Sequence, residues 1–151
     1  MENEFRITRT SREIYDRFFD NYSLEQLNKI PPGFNNNLIW NIGHIIVSQQ
    51  IMIYGGAGLT LMVSDELAGK YTRGTKPEFD LTQKEVDEIR SLLYSPVVRT
   101  EEDYYNRVFT TFTERKTQLG FTLSTVEDAI AFNNYHEGIH LGMMMSIRKF
   151  L

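Results

Sequence analysis

The chain has 151 residues, 41% hydrophobic and 24% charged, which supplies one compact core and leaves too little length for a second domain. No apolar run reaches the length of a membrane-spanning helix, and residues 1–6 mix acids with a base, so a soluble cytoplasmic protein with no membrane partner is expected. Sixteen basic against twenty acidic side chains give a net charge of -4, which argues against nucleic acid as a partner; zero cysteines exclude disulfides, thiolate metal sites and thiol nucleophiles together.

Helix-start signals with a hydroxyl three residues before a carboxylate or carboxamide recur at Ser23, Thr82, Thr100 and Ser124, and no run alternates as a hairpin would. The spacing predicts a first helix over residues 7–21 with Ile7, Ile14 and Phe18 inward, and a short continuation over 23–29 stopped by Pro31-Pro32-Gly33. A second helix is expected from the Asn35-Asn36-Asn37 cluster to Tyr54, where Gly55-Gly56 ends it. It is apolar on most sides, so it belongs at the centre of the fold or at a subunit contact.

Residues 55–81 are glycine-rich and read as a long irregular crossover or lid. A short helix over 82–94 precedes Pro96, and a third long helix is expected over 101–119, with Tyr105, Val108, Phe109, Phe112 and Leu119 on one face and Gly120 at its end. The last helix, over 125–150, carries Ala129, Phe132, His136, His140, Met143, Ile147 and Phe150 at steps of three and four. Together these predict an all-α fold, a four-helix bundle with a long crossover between helices 2 and 3, occupying residues 1–151 as a single domain.

The chain's three histidines are His44, His136 and His140. His136 and His140 stand one helical turn apart and project from the same face, so their imidazoles can converge on one ion; His44, midway along the second helix between Asn41 and Ser48, is within reach if helices two and four pack together. The plainer reading is two core histidines satisfied by hydrogen bonds, because an unpartnered buried imidazole costs about 1–3 kcal/mol. His136-Glu137-Gly138-Ile139-His140 also fits the H-E-x-x-H pattern, in which the glutamate is a general base. A zinc peptidase needs a further ligand downstream, and none follows His140, so that reading ranks last. Glu137 lies about 100° round the helix from His136 and is left with three roles: orienting a ligand, taking a proton, or facing solvent. Arg73 and Lys76 in the crossover are bases that an anionic ligand would meet, although isolated loop bases are more often solvated. Met143, Met144 and Met145 sample three helix faces, so at least one leaves the core; with the apolar second helix this points to a homodimer.

Two segments resemble those of the DinB-like (DinB/YfiT) metalloenzyme family. Leu38-Ile39-Trp40-Asn41-Ile42-Gly43-His44-Ile45 is similar to its Trp-x-x-Gly-His block, and His136-Glu137-Gly138-Ile139-His140-Leu141-Gly142 to its His-x-x-x-His-x-Gly block; the Pro31-Pro32-Gly33 turn fits as well. The resemblance implies a divalent metal ion held by His44, His136 and His140 at one end of the bundle. It also implies a small-molecule substrate, and in some relatives a low-molecular-weight thiol as cosubstrate. Zinc, nickel, iron or manganese would suit the ligands. Relatives often carry glutamine after the final glycine, where this chain has Met143, so the resemblance bears on the ligands more than on the substrate. The implied activity is a metal-dependent transferase or hydrolase activating a thiol or water, with Glu137 as the candidate catalytic carboxylate. The alternative is a non-catalytic helical module, metal-stabilised or metal-free.

Overall fold

A computed structural model describes residues 1–151. It is helical apart from one two-stranded hairpin, as the all-α reading requires. Helix α1 spans Glu2–Asn21 and α2 Leu24–Asn28; α3, Leu38–Ile53, runs through the centre. The crossover that follows holds α4 (Asp65–Tyr71) and α5 (Gln83–Ser91). Helix α6 (Ser95–Tyr105), the antiparallel strands β1 (Arg115–Lys116) and β2 (Thr122–Leu123), and α7 (Val126–Ile147) complete the chain, with a 3-10 turn at Arg148–Phe150. Helices α1, α3, α6 and α7 are the four bundle helices, and α7 packs against both α3 and α1. No helix is long and apolar enough to cross a membrane.

The apolar character of α3 determines its place. Leu38, Ile39, Ile42, Ile45, Ile46 and Val47 are at most 1% exposed and join Tyr15, Phe18, Leu93, Met144 and Ile147 in the main core. Its start is fixed by Asn37, whose Oδ1 accepts from Trp40 N–H at 2.8 Å while its Nδ2 donates to the Asn28 carbonyl at 2.8 Å. Asn28 in turn exchanges hydrogen bonds with both backbone groups of Leu81, tying the end of the crossover to the entry of α3.

Three expectations fail for identifiable reasons. The third bundle helix is Ser95–Tyr105 instead of 101–119. Pro96 begins this helix, because a proline in the first turn lacks only an N–H that would be unpaired there. The Thr100 hydroxyl is then buried inside the helix, donating to the Pro96 carbonyl and accepting from Gln49. Beyond Tyr105 the run Val108-Phe109-Thr110-Thr111-Phe112-Thr113 is β-branched and aromatic, which disfavours helix; Arg107 turns the chain at φ 58° and Gly120 closes the hairpin at φ 91°. Tyr105, Val108 and Leu119 consequently lie exposed.

The inner face of α1 is Phe5, Thr8, Arg12, Tyr15 and Phe18, with Ile7 49% exposed and Ile14 half-buried. Phe18 is inward as expected, but a fully buried arginine occupies the middle of that face, which turns it away from the side marked by Ile7 and Ile14. The crossover also contains a helix that the sequence did not suggest: Ser64 caps α4 by accepting from Leu67 N–H, without the carboxylate three residues on that marked the other starts.

Candidate metal centre

Because α3 is enclosed on nearly every side, the few polar residues along it are carried into the interior: Asn41, His44, Gln49 and Gln50 are all buried. The packing of α7 against α3 brings the C-terminal histidines to that strip. Ring centroids are 4.6 Å apart for His44 and His140, 4.6 Å for His136 and His140, and 5.2 Å for His44 and His136. One nitrogen from each ring lies within 4.8 Å of the other two. The three predicted ligands therefore form one group, although 92 residues separate His44 from His136.

Neighbouring groups select the tautomers. His44 Nδ1 is 2.7 Å from the Tyr71 carbonyl oxygen, which can only accept, so Nδ1 carries the proton and Nε2 keeps a lone pair facing the Ser48 hydroxyl at 3.2 Å. Asn41 Nδ2 donates to the Asn37 carbonyl and to Asn36 Oδ1, which orients Asn41 Oδ1 towards His140 Nδ1 at 2.8 Å. That contact protonates His140 Nδ1 and again frees Nε2. Metal-binding histidines typically donate their second ring N–H to an oxygen acceptor in this way. His136 differs: its Nδ1 is buried without a partner.

Burial disfavours the charged form of all three rings. It lowers His44, against a smaller opposing pull from the Tyr71 carbonyl. It takes His136 down to about 4, with the charge of His44 adding to the shift, and His140 to about 3, with His136 and His44 adding. Three imidazoles that stay neutral near pH 7, two with oriented lone pairs and one with an orphaned nitrogen, suit a divalent ion of the borderline class. The residues fit the ion that the family resemblance implies.

Aromatic rings wall the group. Trp40, one turn before His44, stacks on it at 4.8 Å with planes 10° apart, and Phe132 stacks over His136 at 6.3 Å. The sequence carried a signal for Trp40: its place in the Trp-x-x-Gly-His block, four residues before His44. It gave none for Tyr71, whose ring lies on α3 at Gly43, where a Cβ would approach it to 2.5 Å. The glycine thus lets the crossover come close enough for the Tyr71 carbonyl to hold His44. The expected neighbours Asn41 and Ser48 are both present, but Asn41 serves His140 instead of His44.

Glu137 does not face solvent. It is fully buried, and its carboxylate accepts from Arg12 Nη2 at 2.7 Å, Arg12 Nε at 3.2 Å and Asn133 Nδ2 at 2.8 Å. The step of about 100° per residue turns it towards α1 while His136 turns towards α3. Its backbone carbonyl accepts from the Tyr15 hydroxyl, so this part of α7 is fixed on α1 from two directions.

A cavity of 340 Å³ lies behind Trp40 and Tyr71, between the start of α3, α4 and the chain to Leu81. Asp65, Glu66, Glu78, Asp80 and Glu85 line it against Lys70 and Lys76, and Lys70 already pairs with Glu66 at 2.9 Å. Lys76 thus stands among carboxylates, and Arg73 is exposed and outside the wall, so the two bases form no anion cradle. Met143 packs half-buried against the main core, while Met144 is buried and Met145 is 38% exposed.

A family model described as the DinB superfamily matches residues 7–144, a span that includes all three histidines, Trp40 and Arg12. No curated protein matches the chain.

Proposed function

The chain belongs to the DinB superfamily, and from that premise we propose that His44, His136 and His140 hold one divalent metal ion at which a small thiol or a water molecule is activated. The observation that carries this reading is the size of the ligand group. It has three members, one fewer than the four that close a structural zinc site. A bound divalent ion supplies Lewis acidity, bringing a coordinated water or thiol towards a pKa near 7.

The chain's own residues supply the rest. Tyr71 and Asn41 hold two imidazoles in the ligating tautomer, and burial keeps all three rings neutral. Trp40 and Phe132 limit the water around them. Glu137 acts in this reading as a positioning residue: held by Arg12, it sets the rotation of α7 that points its neighbour His136 at α3. A thiol nucleophile would come from a small molecule, since the chain has no cysteine. The reading takes the chain as one domain acting in the cytoplasm, as a homodimer, on a small-molecule substrate, in a transferase or hydrolase reaction.

The test begins with metal content after reconstitution. One ion per chain is expected for the unaltered protein and none for His44→Ala; unchanged content in that variant overturns the shared site. Screening electrophiles with cellular thiols and added zinc, nickel, iron or manganese then reads the chemistry. Metal binding without turnover in the thiol and hydrolytic assays would favour a purely structural ion.

A further inference from the structure

The outward face of α7 lacks the usual marks of a solvent-facing surface. Between Asp128 and Arg148 the helix has one charged side chain, Glu137, and that one is buried against Arg12. The exposed residues along the same stretch are apolar or small, with Tyr135 50%, Ile139 37% and Met145 38% exposed. Ala131, Gly138 and Gly142 lie exposed among them, and a Cβ built at either glycine would have nothing within 4 Å. A surface helix ordinarily sets polar and charged residues opposite its core face.

The charges at the ends of this face form a symmetrical pattern. Glu127 precedes Gly138 by eleven residues, and Lys149, in the terminal 3-10 turn, follows it by eleven. At about 100° per residue, Glu127 returns to within about 20° of the Gly138 side of α7, and Lys149, two residues beyond Ile147 where 3-10 winding is about 120° per residue, lies about 60° from that side. The exposed stripe therefore reads acid, apolar, glycine, apolar, base, centred on Gly138. A two-fold axis through Gly138 would pair Glu127 with Lys149 at each end and Ala131 with Met145 between them. The residue with no side chain would sit at the point of closest approach, where a helix pair needs room.

We infer that the outward face of α7 is the contact with a second copy of this chain, the two helices running antiparallel and crossing at Gly138, with Glu127 of each protomer opposite Lys149 of the other. This places the homodimer contact named in the functional reading on a specific surface, and it depends on no metal.

Sedimentation equilibrium of the full chain over a dilution series tests it. A dimer is expected for the unaltered protein. Gly138→Leu, at a site with free space in the single chain, should weaken it at least about ten-fold by holding the helices apart, with circular dichroism unchanged. Tyr135→Glu, a second exposed substitution, should act in the same direction. Glu127→Lys and Lys149→Glu should each weaken the homodimer at least about five-fold by turning both end pairs into like-charged pairs. An equimolar mixture of those two variants should recover dimer as the heterodimer, in which both end pairs are opposite in charge. A monomer throughout the series, a dimer indifferent to both Gly138→Leu and Tyr135→Glu, or no recovery on mixing would overturn the assignment. Metal content measured on the same samples shows separately whether the histidine reading stands.

Discussion

Two polar groups, a half-buried histidine and a fully buried glutamate, sit on consecutive residues of α7, and their completeness differs. Glu137 is saturated: Arg12 and Asn133 donate to its carboxylate, and the pair is wholly enclosed. His136 faces the other way into a set of three neutral rings, and its Nδ1 has no partner. A saturated buried pair belongs to the architecture, since each charge answers the other. A set of three neutral rings whose nitrogens gather within 4.8 Å, one of them unpartnered, has the means to hold an ion from outside the chain.

The largest effect should come from the saturated side. Glu137→Gln leaves the Arg12 guanidinium buried without its counter-charge, and a loss of about 3–5 kcal/mol in denaturant unfolding is expected. The double variant Arg12→Met/Glu137→Leu should recover much of that loss; equal instability in both would show that packing, and not the unpaired charge, carries the cost.

Acid should act next, and on the histidine side. Metal-free protein holds His136 and His140 neutral down to about 4 and about 3, whereas the unfolded chain takes up protons near 6.5. The unfolded state binds more protons between those values, so stability falls as the pH drops from 6.5 towards 4, by up to about 1.4 kcal/mol per unit for each ring. Above pH 6.5 these rings contribute no slope. Thermal melts of metal-free protein at a series of pH values should show this dependence, reduced in His136→Phe; an identical slope in that variant would break the link to the triad.

Asn41→Ala removes the acceptor that fixes His140, and a loss of about 10–100-fold in metal affinity is expected by competition against a chelator. Unaltered affinity would mean that the ring is held by packing alone. The smallest effect, and the sharpest contrast with Glu137→Gln, is predicted for the stability of metal-free His136→Phe. Its melting point should match or slightly exceed that of the unaltered protein, because an orphaned polar atom is replaced by apolar volume. A strong loss there would show that His136 is an ordinary core residue.

The parts of this fold legible in the sequence are those governed by short-range rules. The Asn37 cap, the uniformly apolar α3 and the i,i+4 histidines on α7 each follow from local spacing, and each is present as expected. Reading failed where a local signal had two meanings. Pro96 can stop a helix or start one, and the outcome rested on Thr100 finding Gln49 across the bundle. Arg12 was invisible to an apolar pattern because its charge is neutralised by a residue 125 positions away.

Covalent order and helical periodicity determined, before any folding, that His136 and His140 share a face and that α3 must be buried. Tertiary packing decided the rest: that His44 meets them, that Asn41 orients His140, that the Tyr71 carbonyl reaches His44 over Gly43, and that Glu137 turns to Arg12. The physical reason is range. Backbone geometry fixes neighbours within a few turns, whereas contacts between distant segments depend on which buried polar groups find partners once apolar faces close, and that is settled only by the whole set of contacts together.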